Sequence, residues 1–110
     1  MNHVPTELLS EEKRRERATA IILKYPNSVP IFIKGTGGSY TKYIVPYHIT
    51  ISGIIGVLRN RIKISEAQAI YLTVNNKILA GSQTIGEVHN KEQSPDGFLY
   101  LTYCYENVFG

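Results

Sequence analysis

The sequence predicts an α+β fold, one mixed β-sheet packed against helices with a further helix in front of it. Three observations carry the prediction. Residues 29–34 and 98–105 are strand-like runs with apolar side chains on both faces, as in strands covered on both sides. Stretches around residues 18–25 and 51–62 place apolar residues at helical rather than strand spacing. The 110 residues, 43% hydrophobic and 19% charged, suffice for one domain. A domain of that length buries about two-thirds of its unfolded surface.

In chain order, Ser10 is placed to cap a helix whose first turn holds Glu11 and Glu12, beside the positive end of the helix dipole. Ala18, Ile21, Ile22 and Tyr25 then fall at i, i+3, i+4 and i+7, one apolar stripe. Lys24 suits the negative end, and Pro26 stops the helix at Tyr25. Residues 5–9 favour a further short helical turn ahead of it, with nothing in them to decide whether it packs on the domain.

The strand at 29–34 meets a turn at 35–39, rich in glycine, and a second strand at 40–45 is closed by Pro46, so the two form a hairpin. Ile51, Ile54, Ile55, Leu58 and Ile62 mark the second helix, with Thr50 as its cap. Gly53 and Gly56 weaken that helix by about 1 kcal/mol each against alanine, so packing must hold it. Residues 70–74 form a third strand, and Asn75-Asn76 supply the positive φ of a tight turn into 77–79. Thr84 and Glu87 are spaced as a capping box for a short helix around Ile85 and Val88. Residues 94–97, Ser-Pro-Asp-Gly, turn the chain into the last strand. With the first and last strands apolar on both sides, these two belong at the centre of the sheet. The order is that of a β-grasp with an extra N-terminal helix.

Charge is uneven. Residues 1–63 hold ten Lys/Arg against four Glu, whereas residues 64–110 hold two Lys against five acids. A basic half suits anionic partners or lipid head groups, and a solvated surface of uneven charge accounts for it equally well. The same two readings apply to Lys13, Arg14, Arg15 and Arg17 on the first helix, which Glu11, Glu12 and Glu16 can pair at short spacing. The single cysteine, Cys104, precludes an internal disulfide and suits a reducing compartment. No run approaches the length of a membrane span, and residues 1–5 lack the pattern of a signal peptide, so the expectation is a cytosolic protein.

Enzymatic chemistry is not indicated. The Gly35-Thr36-Gly37-Gly38 run lacks the Lys and Ser/Thr of a phosphate-cradling loop. His3, His48 and His89 are not at metal-ligand spacing with one another or with Cys104. Cys104 reads as a small core residue rather than a nucleophile. The tyrosines fall mostly at sheet and core positions rather than forming a stacking platform for nucleic acid. The terminus is the distinctive feature. Gly110, at the end of a short tail, offers an acyl group with no Cβ, able to thread a narrow enzyme cleft, although a terminus trimmed at that point accounts for a last glycine equally well.

The motifs Glu12-Lys13-Arg14-Arg15, Lys24-Tyr25-Pro26, Val29-Pro30, Lys42-Tyr43-Ile44-Val45-Pro46, Arg59-Asn60-Arg61-Ile62, Val74-Asn75-Asn76 and Gly97-Phe98-Leu99-Tyr100 occur in that order. With the ending Glu106-Asn107-Val108-Phe109-Gly110, they closely resemble the autophagy ubiquitin-like modifiers, the family of the GABA-receptor-associated protein and the microtubule-associated protein light chain. The resemblance covers residues 10–110. It implies an N-terminal helical extension over 1–25, a ubiquitin-like β-grasp domain over 26–105 and a flexible tail over 106–110. The loop at 35–39 is about six residues shorter than in animal members. Arg17 stands where the family usually has an acid, Ser28 where it often has a base, and Asn60 interrupts a basic run. These departures suggest a divergent, non-animal member with its own partner preference.

The resemblance further implies conjugation of Gly110 to phosphatidylethanolamine on autophagosomal membranes through activating and conjugating enzymes, with a tail-cleaving cysteine protease. It implies cargo receptors that add an aromatic-x-x-aliphatic peptide as a strand to the sheet edge. The carry-over puts the aromatic pocket at Ile21, Pro30, Ile44 and Phe98, and the aliphatic pocket at Tyr43, Val45, Pro46, Ile49, Ile54 and Val57. Lys42 and Arg61 are placed to hold acidic residues flanking the peptide, and Arg17 to favour acidic over basic peptides. From pattern alone most of these apolar residues read as core. No cofactor, metal or nucleic acid is implied. The competing reading is an unconjugated adaptor of the same fold that binds peptides in vesicle trafficking or at the cytoskeleton.

Overall fold

The first helix, α1 (Glu11–Lys24), begins where its cap places it, the Ser10 hydroxyl accepting the Lys13 N–H at 3.3 Å. Ahead of it, Thr6–Leu8 forms a 3-10 turn. In the computed structural model, which describes residues 5–62 and 64–107, this turn is docked. Thr6 is buried, and Lys42 Nζ lies 3.5 Å from its hydroxyl. His3 and Gly110 lie outside the described residues.

Strands β1 (Ser28–Gly35) and β2 (Thr41–Pro46) form the predicted hairpin, with Gly37 in the turn at φ +76°. Helix α2 (Ile51–Ile62) follows, Thr50 Oγ1 accepting the Gly53 N–H at 3.1 Å. Strand β3 (Gln68–Val74) turns through Asn75 and Asn76, both at positive φ, into the short β4 (Lys77–Ile78). Helix α3 (Ile85–Glu92) is capped by Thr84, which accepts the Glu87 N–H at 3.2 Å. Strand β5 (Leu99–Asn107) completes a five-stranded sheet of order β2-β1-β5-β3-β4. β1 and β5 pair in parallel at its centre, as their two-sided apolar pattern predicts.

Two apolar layers flank the sheet. Ile31, Ile33, Leu72, Leu99 and Leu101 pack under α2 and α3 with Ile51, Leu58, Ile85 and Val88. On the other face a smaller cluster of Ala18, Phe32 and Phe98 sits under α1.

Three expectations change. The stripe expected along α1 is buried only at Ala18, while Ile21 is half-buried and Ile22 and Tyr25 are exposed. The helix touches the sheet over a narrow front, and its last turn runs past the covered area. Strand β5 takes in Glu106 and Asn107, the first residues of the expected tail, because β3 starts at Gln68 and supplies partners for both. Cys104, expected in the core, is only half-buried. Strand alternation puts it on the face of Tyr100, towards the end of β5.

Candidate functional site

β2 is an edge strand, bonded to β1 on one side only, so the main-chain groups of its other side are free to pair. Its register sorts its side chains. Tyr43 and Val45 lie opposite Ile31 and Val29, on the face covered by α2. Lys42 and Ile44 lie opposite Phe32 and Pro30, on the face covered by α1. The edge therefore presents different side chains on its two faces, with Ile44 also bordering the cavity on the α2 side.

On the α2 face, Tyr43, Val45, Pro46, Ile49, Ile54 and Val57 line one cavity of about 230 Å³. These are the six residues assigned to the aliphatic pocket. Gly53 forms part of the lining, and the Val57 side chain at the rim is 54% exposed despite being apolar. The Arg61 guanidinium lies over the Tyr43 ring at 5.4 Å, keeping a cation beside the cavity.

The α1 face is different. Phe98 has 0% of its surface exposed and Pro30 less than 2%, so neither side chain can touch a ligand in this arrangement. Phe32, which the sequence reading did not single out, fills the space against Phe98, with ring centroids 4.7 Å apart. Tyr100 and Tyr40 extend the stack at 5.2 and 5.9 Å from Phe32. Of the four residues assigned to the aromatic pocket, only the half-buried Ile21 and the 39% exposed Ile44 offer surface. The alternation that puts Phe32 beside Pro30 and Phe98 was available in the sequence. Its closure of the site was not.

The basic cluster divides. Arg14 Nε donates to Asp96 Oδ2 at 2.8 Å, and its Nη1 donates to the Leu9 carbonyl at 2.5 Å. Asp96 also accepts the Phe98 N–H at 2.8 Å and the Tyr100 hydroxyl at 2.5 Å. The hydrogen bond to Asp96 raises the Arg14 pKa. Burial, and then the bond to Asp96, push the Tyr100 phenol well above its ordinary value. Arg15 Nε reaches the Pro95 carbonyl at 3.2 Å, and Lys13 pairs with Glu16 at 3.7 Å. Arg17 is exposed and makes no ion pair among the described residues.

His89 is buried, its Nε2–H donating to the Gly97 carbonyl at 2.8 Å, which holds α3 to the turn before β5. Lys77 pairs with Glu92, whose pKa is lowered by that contact and by Asn75, tying the β3–β4 turn to α3. A second, more open cleft of about 670 Å³ lies between the end of α1, the start of β1 and α3, lined in part by Ile22, Tyr47, His48 and Glu87. No pattern in the sequence announces it. Among the described residues no three His, Cys, Asp or Glu side chains are grouped to hold a metal ion, and no helix is long and apolar enough to cross a membrane.

Comparison with known proteins agrees with this architecture. Residues 13–110 match the family described as "Autophagy protein Atg8 ubiquitin like". The chain is 35% identical over 105 residues to Autophagy-related protein 8e of Arabidopsis thaliana, covering 90% of this chain and 86% of that protein. It is 33% identical over 105 residues to Autophagy-related protein 8d of the same plant, covering 90% of this chain and 88% of the relative. The crystal structure of Trypanosoma brucei ATG8 superposes with a TM-score of 0.83 over 100% of both chains at 24% identity, a likeness of fold. With a ubiquitin-like fold carrying an N-terminal helix, and with nearly its whole length matched, the chain belongs to the Atg8 family of ubiquitin-like autophagy proteins.

Proposed function

We propose that the chain is a conjugated modifier rather than an enzyme. Gly110 is joined as an amide to phosphatidylethanolamine, and the β2 edge recruits receptors carrying aromatic-x-x-aliphatic segments. The observation that carries the recruiting half is the cavity beside the free edge, lined by Tyr43, Val45, Pro46, Ile49, Ile54 and Val57. In an extended peptide, side chains three residues apart point to opposite faces, about 10 Å along the strand. A strand added to β2 thus turns its first anchor to the α1 face, at Ile21 and Ile44, and its second into this cavity. Lys42 and Arg61 supply positive charge on the two sides for acidic flanks, and Arg17 adds to it.

Family membership supports the conjugating half. Partner enzymes carry Gly110 as a thioester, the head-group amine attacks the acyl carbon, and the enzyme thiol leaves. A two-chained lipid suits the purpose, since one acyl chain holds a soluble domain only marginally, at about 0.8 kcal/mol per buried CH₂. The protein then divides its time between the cytoplasm and the autophagosome membrane.

Membrane fractionation of cells under active autophagy, with mass spectrometry of the C-terminal peptide, tests the proposal. The parent chain is expected to gain the mass of the lipid adduct and to sediment with membranes. Gly110→Ala is expected to remain unmodified while keeping its fold and its peptide binding. A parent chain that never gains the adduct, yet binds peptides, favours the unconjugated adaptor.

A further inference from the structure

We propose that Phe32 is the specificity-determining residue of the β2 edge, and that it makes this chain prefer a short branched side chain over tryptophan at the first anchor of its peptides. The inference rests on the strand-addition reading above and departs from it at one point, replacing the aromatic first anchor with a short branched one.

Phe32 lies on β1 opposite Lys42 of β2 and beside Tyr100 of β5, so its ring points to the α1 face, where the first anchor must land. There it contacts Phe98, Tyr100 and Tyr40 at centroid distances of 4.7, 5.2 and 5.9 Å and has no exposed surface of its own. Tyr40 and Tyr100 also meet edge to face at 5.4 Å. Ala18 of α1 completes the cluster, and Ile21 packs against it. The floor of the first site is therefore a filled aromatic stack rather than a depression.

A tryptophan owes its affinity as an anchor to burying a large ring on more than one side. To enter here it must displace Phe32 from three ring contacts, or lift α1 against the Arg14–Asp96 bond. Lying flat on Ile44 and Ile21, it covers one ring face only. An isoleucine or valine needs no opening: its branched end covers the exposed Ile44 side chain, and its β-branching favours the extended backbone that strand addition requires. Selection then passes to the second anchor, which meets an open cavity at Val57 and Pro46.

Titration of the full chain with three peptides tests this. They share an acidic flank and a leucine at the fourth position, and carry tryptophan, isoleucine or alanine at the first. The parent is expected to bind the isoleucine peptide at least threefold more tightly than the tryptophan peptide. Phe32→Val, which removes the ring, is expected to shift that ratio at least tenfold towards tryptophan. Phe32→Leu serves as the milder variant, with thermal melts verifying that each is folded. A parent that prefers tryptophan tenfold overturns the inference while leaving strand addition standing, and so does an unchanged ratio in both folded variants. A parent that binds none of the three overturns strand addition itself, and this inference with it.

Discussion

Arg14 and Asp96, 82 residues apart in the chain, meet at 2.8 Å between Nε and Oδ2, and that contact fastens the N-terminal helix to the turn before β5. Asp96 is 1% exposed, and its carboxylate also serves the Phe98 N–H and the Tyr100 hydroxyl. The polar latch explains how α1 stays docked although its apolar front is little more than Ala18 and Ile21.

Asp96→Ala strands a buried N–H and a tyrosine hydroxyl at once, and leaving a buried donor unpaired costs about 1–3 kcal/mol. Urea unfolding is expected to show a lowered midpoint, and proteolysis to cut first within α1. A midpoint equal to that of the parent would mean that the latch contributes nothing.

The same latch decides where the basic cluster can be tested by charge. Arg14→Glu is expected to destabilise the fold, because it sets two carboxylates against each other. Arg17→Glu, at an exposed position, is expected to change the unfolding free energy by no more than about 0.5 kcal/mol. If charge drives membrane or partner association, Arg17→Glu weakens it and raised salt imitates the variant, since exposed charges are screened over about 8–10 Å. Association unmoved by either change identifies a solvated face.

The raised Tyr100 pKa sets an alkaline limit. An unfolded tyrosine releases its proton near pH 10, whereas the folded chain holds it. The folded state then binds more protons than the unfolded one, so stability is full below about pH 10 and falls as pH rises above it. Tyr100→Phe is expected to lower stability at neutral pH and to flatten that alkaline decline, measured as urea midpoints at pH 8 and above pH 10.

Two glycines should respond in opposite directions. A Cβ at Gly56 meets nothing within 4 Å, so Gly56→Ala is expected to stabilise α2 by about 0.5–1 kcal/mol. Gly97 sits at φ +89°, and a Cβ there lies 3.1 Å from the Ala18 Cβ, so Gly97→Ala is expected to destabilise by about 1–2 kcal/mol. Thermal denaturation of the two variants side by side checks both signs.

At the cavity, Val57→Arg is expected to keep the unfolding free energy within about 0.5 kcal/mol of the parent's, because the residue is exposed. Peptide affinity should fall at least tenfold, since the new side chain reaches over the second-anchor site. Isothermal titration with the isoleucine–leucine peptide reads the loss, and unchanged affinity would place the second anchor elsewhere.

Much of the fold was legible because the signals were local. The side chains of Ser10, Thr50 and Thr84 accept the N–H bonds of Lys13, Gly53 and Glu87 that a cap predicts. Asn75 and Asn76 adopt the positive φ expected of them, and the two-sided apolar runs became the paired central strands β1 and β5. The six residues that line the cavity beside β2 were also grouped together in the sequence, through the resemblance. Pattern alone placed them in the core, because an apolar side chain reads the same whether a neighbour covers it or a cavity lies beside it.

The order of elements, their caps and turns, the resemblance to the family, and the residues that share each face of β1 and β2 all follow from local sequence pattern. Backbone preference and side-chain period act over a few residues and need no knowledge of the rest of the chain. It takes the packing of the whole chain to set Phe32 against Phe98, to leave Pro30 and Phe98 buried and Ile22 and Tyr25 exposed, and to give Arg14 to the fold while Arg17 faces solvent. Each outcome depends on where α1 comes to rest on the sheet. That position is set by contacts such as Arg14 with Asp96, whose partners lie too far apart in sequence for any local pattern to join them.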